Sequence, residues 1–275
     1  KQNIVLEDDV PADVAIDGSG DIYVVGGSES TDEYSDYAVL KVSSAGGILW
    51  NTYYDYNDLH DAATNVTIGG KIIVTGASAA GEGDWDIATL KLNPSTGSIF
   101  SSVRSDIADA TIVEANAMET DMHNNIYITG YAQVGAIKNI QTIKLDSSLS
   151  LQWIAKYEGE FDDIANDIDI DTSGNVYITG QSKRTEGKNK VITIKYSEAG
   201  DTLWTELYGN IITENGALGR KLDIQENGDI YIAGTVAETA SQSGFLLLKY
   251  DSEGKVKFTE RFHADTLDDE GFSVN

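Results

Sequence analysis

Seven residues recur five times along this chain: GDIYVVG at 20–26, GKIIVTG at 70–76, NNIYITG at 124–130, GNVYITG at 174–180 and GDIYIAG at 228–234. Two further markers keep the same register. A lysine follows at Lys41, Lys91, Lys144, Lys195 and Lys249, and then an aromatic at Trp50, Phe100, Trp153, Trp204 and Phe258. Successive copies of each marker stand 50 to 54 residues apart. A fixed period of this size points to one supersecondary unit copied in series, which hides its apolar faces only by packing against its neighbours.

The fourth unit shows what is copied. NDIDID at 166–171 alternates apolar and polar residues, the period of a half-buried strand. TSGN at 172–175 supplies a tight turn. VYITG at 176–180 reads as a second strand, VITIKY at 191–196 as a third and TLWTELY at 202–208 as a fourth, with SEAGD turning the chain at 197–201. No unit carries helical periodicity. Two prolines against 27 glycines, in a background of Val, Ile, Thr and Tyr, agree with an all-β chain. Four short strands cannot cover both faces of their own sheet. Repeats of this length and content predict an all-β fold, a β-propeller of four-stranded antiparallel blades.

The segments DTSGNVYITGQS, DGSGDIYVVGGS and KYSEAGDTLW resemble the SBBP-type β-propeller repeat over nearly the whole chain. The second unit departs most, with the shorter turn IGGK and Ile73 in place of the recurring tyrosine, and the third carries MHNN where others have glycine. The resemblance implies a blade rather than a chemistry, and a setting among bacterial secreted and surface proteins. It brings no catalytic residues with it.

The units fall at about 12–61, 62–114, 115–164, 165–216 and 217–270, within one propeller domain over 1–275. DDVPADV (8–14) and DDEGFSV (268–274) both align with DDIANDI (162–168), so residues 1–11 and 271–275 read as parts of flanking blades. Five complete units plus these partial blades predict a six-bladed native ring. A closed five-bladed ring with a surplus tail, a larger ring or a second propeller remain alternatives. The chain does not begin with Met and shows no signal peptide, and it reads as a mature or cropped segment. An unpaired edge strand invites self-association by strand exchange.

Composition excludes several functions. Without cysteine there is no disulfide scaffold, zinc–thiolate site or thiol enzyme. No apolar run reaches membrane-spanning length, which argues against membrane insertion. A net charge of −26 repels phosphate backbones and argues against nucleic-acid binding; it serves solubility or attracts cations.

Most recurring residues read as structural. The aromatics on the fourth strand suit blade-to-blade packing. Each recurring lysine can lay its stem on apolar surface and reach a carboxylate. The first strand of each unit is expected nearest the ring axis, with Ala15, Thr67, Glu119, Asp169 and Asp223 in one polar layer. Glu119, Asp169 and Asp223 are the candidate metal ligands, for a calcium ion in the channel. The alternative is a water-filled acidic channel with Lys221 as internal counter-ion. His60, His123 and His263 lie on different units, and no metalloprotease, nucleophile-elbow or phosphate-loop motif occurs. The sequon at Asn65 falls on an expected buried strand. The connectors between second and third strands vary, and Trp85 lies in one of them, outside the repeat register. It is the candidate partner-binding residue, with blade packing as the competing role.

These readings predict a non-catalytic extracellular or cell-surface module of bacterial origin that presents loops to a protein or glycan partner, with no required cofactor. A propeller hydrolase or lyase with its site at the channel mouth and a surface-filament subunit are the alternatives.

Overall fold

A computed structural model describes residues 9–29, 34–107, 109–185, 187–209, 216–239 and 242–262. Among these residues every regular element is a strand, and the strands fall into five groups of four. Blade I contains β1 (Asp9–Ile16), β2 (Ile22–Glu29), β3 (Ser35–Val42) and β4 (Ile48–Tyr54). Blade II contains β5 (Asp61–Ile68), β6 (Ile72–Gly81), β7 (Asp84–Leu92) and β8 (Ile99–Ser105). Blade III contains β9 (Ile112–Thr120), β10 (Ile126–Val134), β11 (Ile137–Leu145) and β12 (Leu151–Tyr157). Blade IV contains β13 (Asp163–Ile170), β14 (Val176–Lys183), β15 (Asn189–Tyr196) and β16 (Thr202–Tyr208). Blade V contains β17 (Gly216–Ile224), β18 (Ile230–Thr239), β19 (Gln242–Tyr250) and β20 (Val256–Phe262). Within each blade the strands pair antiparallel in chain order, and a single parallel bridge, Trp85 to Ile112, joins blades II and III.

The strands begin up to three residues before the unit edges read from the sequence: Asp61 opens blade II, Ile112 opens blade III and Asp163 opens blade IV. The cause is a bulge in every first strand, as between Ala165 and Asp167, beyond which pairing continues. The bulge also accounts for the glycine that ends each recurring segment. It presses a first-strand carbonyl against the second strand: a Cβ at Gly180 would lie 2.0 Å from the Ile164 oxygen, and Gly26, Gly76, Gly130 and Gly234 face the same obstruction. The flanking segments 1–8 and 263–275 lie outside the described residues, while residues 9–11 belong to β1.

First strands neighbour one another in sequence, β1 on β5, β5 on β9, β9 on β13 and β13 on β17. The apolar cores lie between blades rather than inside them. One joins Tyr23, Val25, Tyr37 and Val39 of blade I to Val66, Ile72, Val74 and Leu90 of blade II. Equivalent cores join II to III, III to IV and IV to V. Each blade thus buries one face forward and one backward.

Among the described residues, two faces lack that cover. On blade I, Val14 is 58% and Ile16 66% exposed, whereas Val66, Ile168 and Leu222, which occupy the Val14 position, are 5–7% exposed. On blade V, Phe258 and Phe262 are exposed, and Tyr231 is half-buried where Tyr23, Tyr127 and Tyr177 are buried.

The recurring polar residues stitch the seams. Lys41 Nζ and Trp50 Nε1 both donate to the Pro94 carbonyl in the next blade. Lys144 and Trp153 do the same to Glu198, and Lys195 and Trp204 to Ser252. Lys91 reaches Ser147, without an indole beside it because Phe100 stands there. Each ammonium except that of Lys91 lies over a tyrosine ring, with Nζ 4.9 Å from the Tyr23 centroid and 5.0 Å from that of Tyr127. Those tyrosine hydroxyls in blades I, III and IV donate to Asp17, Asp121 and Asp171, which also cap the turn ahead of the second strand.

Candidate functional site

The polar faces of the first strands supply the densest group of functional side chains. Alternation along β13 carries Ile168 and Ile170 into blade packing and sends Asp167 and Asp169 the other way. Asp167 Oδ1 lies 2.8 Å from Lys221 Nζ, and its Oδ2 accepts from Leu222 N at 2.7 Å. Asp169 Oδ2 accepts from Ile224 N at 3.1 Å and its Oδ1 from Ile170 N at 2.7 Å. Asp13 accepts from Val66 N at 2.8 Å in the same way. One residue before the position that Asp13 and Asp167 occupy, Thr64, Asn116 and Asn166 donate to Ala115, Ala165 and Gly219 in the following blade. Much of what the sequence offers as a carboxylate-lined channel is therefore a ladder of hydrogen bonds between first strands, and Lys221 is its internal counter-ion.

Electrostatics single out one member. Burial pushes the Asp169 carboxyl up to about 6; the Glu119 and Asp223 charges add to this, and the N–H groups of Ile170 and Ile224 oppose it. Burial also raises Glu119, with Asp167 adding and the Thr120 N–H opposing. Asp167 is raised by burial in spite of Lys221 and Leu222 N. Glu119 and Asp169 line a cleft of about 350 Å³ together with Asp121, His123, Asp171 and Glu198. The cleft is acidic, and burial of Asp169 favours its protonated form relative to an exposed carboxyl.

Of Glu119, Asp169 and Asp223, expected as a calcium triad, Asp169 senses the charge of the other two. The triad does not bring three oxygens within the reach of one ion. Among the described residues the acidic group that does so is Asp36, Asp55 and Asp61, at the seam of blades I and II. Sequence reasoning passed over it because its members come from three segments. The one available signal was the density of carboxylates in DYNDLHD at 55–61.

Trp85 occupies a strand rather than a loop. The connector that holds it folds as an extension of β6 and β7 around a two-residue turn, Glu82-Gly83, with Gly83 in the left-handed region at φ 74°. Blade III does the same at Gly135-Ala136. Trp85 is half-buried and stacks on His60, with centroids 6.4 Å apart and planes at 17°. Tyr34 meets His60 edge-on at 5.0 Å. His60 Nδ1 accepts from Ser35 N, and His123 sits in a turn that lines the cleft. Asn65 is half-buried, and its amide donates to Thr64 and Ala115, so a glycan there would break a blade seam.

Residues 152–184 match the family model described as SBBP, a beta-propeller repeat. No curated protein matches the chain in sequence. Among solved structures it is similar to a polysaccharide lyase of family PL25, an ulvan lyase (TM-score 0.59, 13% identity, 91% of this chain and 70% of that one). It is also similar to the quinohemoprotein alcohol dehydrogenase of Comamonas testosteroni (0.58, 12%, 90% and 42%) and to the Pseudomonas brassicacearum lignostilbene dioxygenase (0.52, 10%, 91% and 67%). At such identities the likeness establishes a shared propeller-like fold.

Proposed function

We propose that this chain is a non-catalytic interaction and structural module of a bacterial extracellular or cell-surface protein, presenting its rim to a protein or glycan partner. The observation that carries this reading is the use to which the recurring side chains are put. The seam lysines, tryptophans and first-strand carboxylates are engaged in blade-to-blade bonds of one repeated kind. The residues that break the repeat, Tyr34, His60 and Trp85, build an aromatic ladder on the rim rather than a nucleophile with its base. Stacked aromatics with a polar edge suit the faces of sugars and peptide side chains. The reading includes no resident cofactor, because backbone N–H groups and Lys221 engage Asp167 and Asp169.

The competing reading is an enzyme with its site at the acidic cleft, where Asp169 would supply a proton. One experiment separates them. The purified chain is incubated with a panel of polysaccharides that includes ulvan, and new reducing ends and unsaturated products are measured. Binding to the same panel is read in parallel. The expected result is binding weakened by Trp85→Ala and no turnover. Turnover abolished by Asp169→Asn would replace this reading with the enzymatic one.

For the architecture we infer a six-bladed native ring. Support comes from the two uncovered faces, the rear face of blade I and the forward face of blade V, which match the surfaces that every other seam buries. Because the two faces are complementary, head-to-tail association of copies into a filament would cover them equally well.

A further inference from the structure

Asp36 lies on β3, Asp55 directly follows β4, and Asp61 opens β5 in the next blade. Each offers one carboxylate oxygen, and the three oxygens lie within 4.8 Å of one another. Two oxygens bound to one calcium ion at roughly 2.3–2.6 Å stand no farther apart than about 4.6–5.2 Å. A single ion can therefore touch all three.

Asp61 supplies the second, independent sign. It is fully buried; its Oδ2 accepts from Tyr56 N at 2.7 Å and its Oδ1 has no hydrogen-bond partner. The equivalent residue two blades on, Asp163, is satisfied at both oxygens, by Gly159 N and by the Ser182 hydroxyl. Ser78 stands where Ser182 does and is close enough to favour ionisation of Asp61, but it makes no hydrogen bond to Oδ1. Its hydroxyl oxygen also accepts from Arg104 Nη1. A buried carboxylate oxygen without a donor is a costly thing to keep, and it points to a ligand.

The nearest cation does not fill that role. Arg104 is committed to Asp86, at 2.8 Å, and to the Ser78 carbonyl, and its guanidinium lies 3.8 Å from the Tyr56 ring centroid. Asp55 spends Oδ1 on Asp58 N, which leaves Oδ2 for a ligand. From these contacts we propose that Asp36, Asp55 and Asp61 form a binding site for a hard divalent cation, calcium, that clips blade I to blade II. Calcium fits better than magnesium because it accepts irregular all-oxygen cages, whereas magnesium demands near-octahedral geometry and keeps its waters. A clip at this seam acts on the blade whose rear face, with Val14 and Ile16, is exposed.

The test uses the full chain after chelator treatment. Terbium is titrated with excitation of tyrosine and tryptophan, since Tyr37, Tyr54 and Tyr56 adjoin the site in sequence. Calcium is then used to displace it, and melting temperature is followed with calcium and with magnesium. The expected result is one sensitised terbium site displaced by calcium and a melting temperature raised by calcium more than by magnesium. Asp55→Asn, at an exposed position, and Asp36→Asn should each weaken binding on the order of tenfold or more, while Asp169→Asn leaves it unchanged. Absence of terbium emission and of any calcium shift would overturn the proposal. So would binding that survives both seam variants, or binding lost in Asp169→Asn, which would place the ion in the channel.

Discussion

At the residue scale, identical side chains acquire different work from their position on one strand. In the run Asp167, Asp169, Asp171 the first carboxylate pairs with Lys221 and the second accepts from the next first strand. The third caps a turn and receives the Tyr177 hydroxyl. Asp169 pays for its position with a carboxyl raised to about 6 from an ordinary value of 3.8. A folded-state value above the unfolded one means that the unfolded chain gives up this proton first. The group therefore costs stability as pH rises from about 4 to about 6, and the cost is complete above that range. Allowing for its partial exposure, the cost is about 1–2 kcal/mol. Asp169→Asn keeps an acceptor for Ile224 N and removes the charge. The variant should match the wild type in urea melts near pH 4 and exceed it by about that amount at pH 7. Equal stability at both values would show that Asp169 titrates normally.

At the element scale, the informative feature is the bulge that every first strand places opposite a glycine. Adding a methyl group at Gly180 sets it 2.0 Å from a backbone oxygen, and a β-sheet interior has no flexible partner to give way. Gly180→Ala should cost about 1–3 kcal/mol by overpacking, read as a lower urea midpoint with an unchanged slope. Gly18→Ala, where a Cβ meets nothing within 4 Å, is the control and should be near neutral. The fourth strand of blade IV, Thr202–Tyr208, was legible to the residue, because alternation and turn residues are local signals. The bulges were not, since a bulge is a property of two paired strands. The place of Trp85 was hidden for the same reason: GEGD reads as a loop until β6 and β7 extend to meet around it.

At the scale of the whole molecule, four seams hold five blades, and each seam repeats one recipe of aromatic, lysine and a polar first-strand side chain bonded to the next first strand. The faces at the two ends display the same recipe without a partner: Val14 and Ile16 at one, Tyr231 and Phe258 at the other. Burying a single aliphatic side chain of this kind is worth about 1.5–3 kcal/mol. Fusing one further copy of residues 163–208 to the C-terminal end should therefore raise the melting temperature and slow unfolding. It should also suppress concentration-dependent association in sedimentation runs. A fusion no more stable than the parent chain, with the added repeat open to protease, would argue that the ring closes without a sixth blade.

The sequence by itself determined the all-β class, the four-stranded unit, its fivefold copying and the structural role of the recurring lysines and aromatics. Each of these follows from alternation, turn chemistry and period, which are written along the chain. Only the tertiary structure decided which carboxylates bond to the next strand and which converge. The channel residues Glu119, Asp169 and Asp223 share a layer by repeat symmetry, yet the three oxygens close enough to share an ion belong to Asp36, Asp55 and Asp61. Those three residues stand at unrelated positions of the repeat and are brought together by a seam between two sheets. The distance across such a seam is set by packing, and no one-dimensional pattern records it.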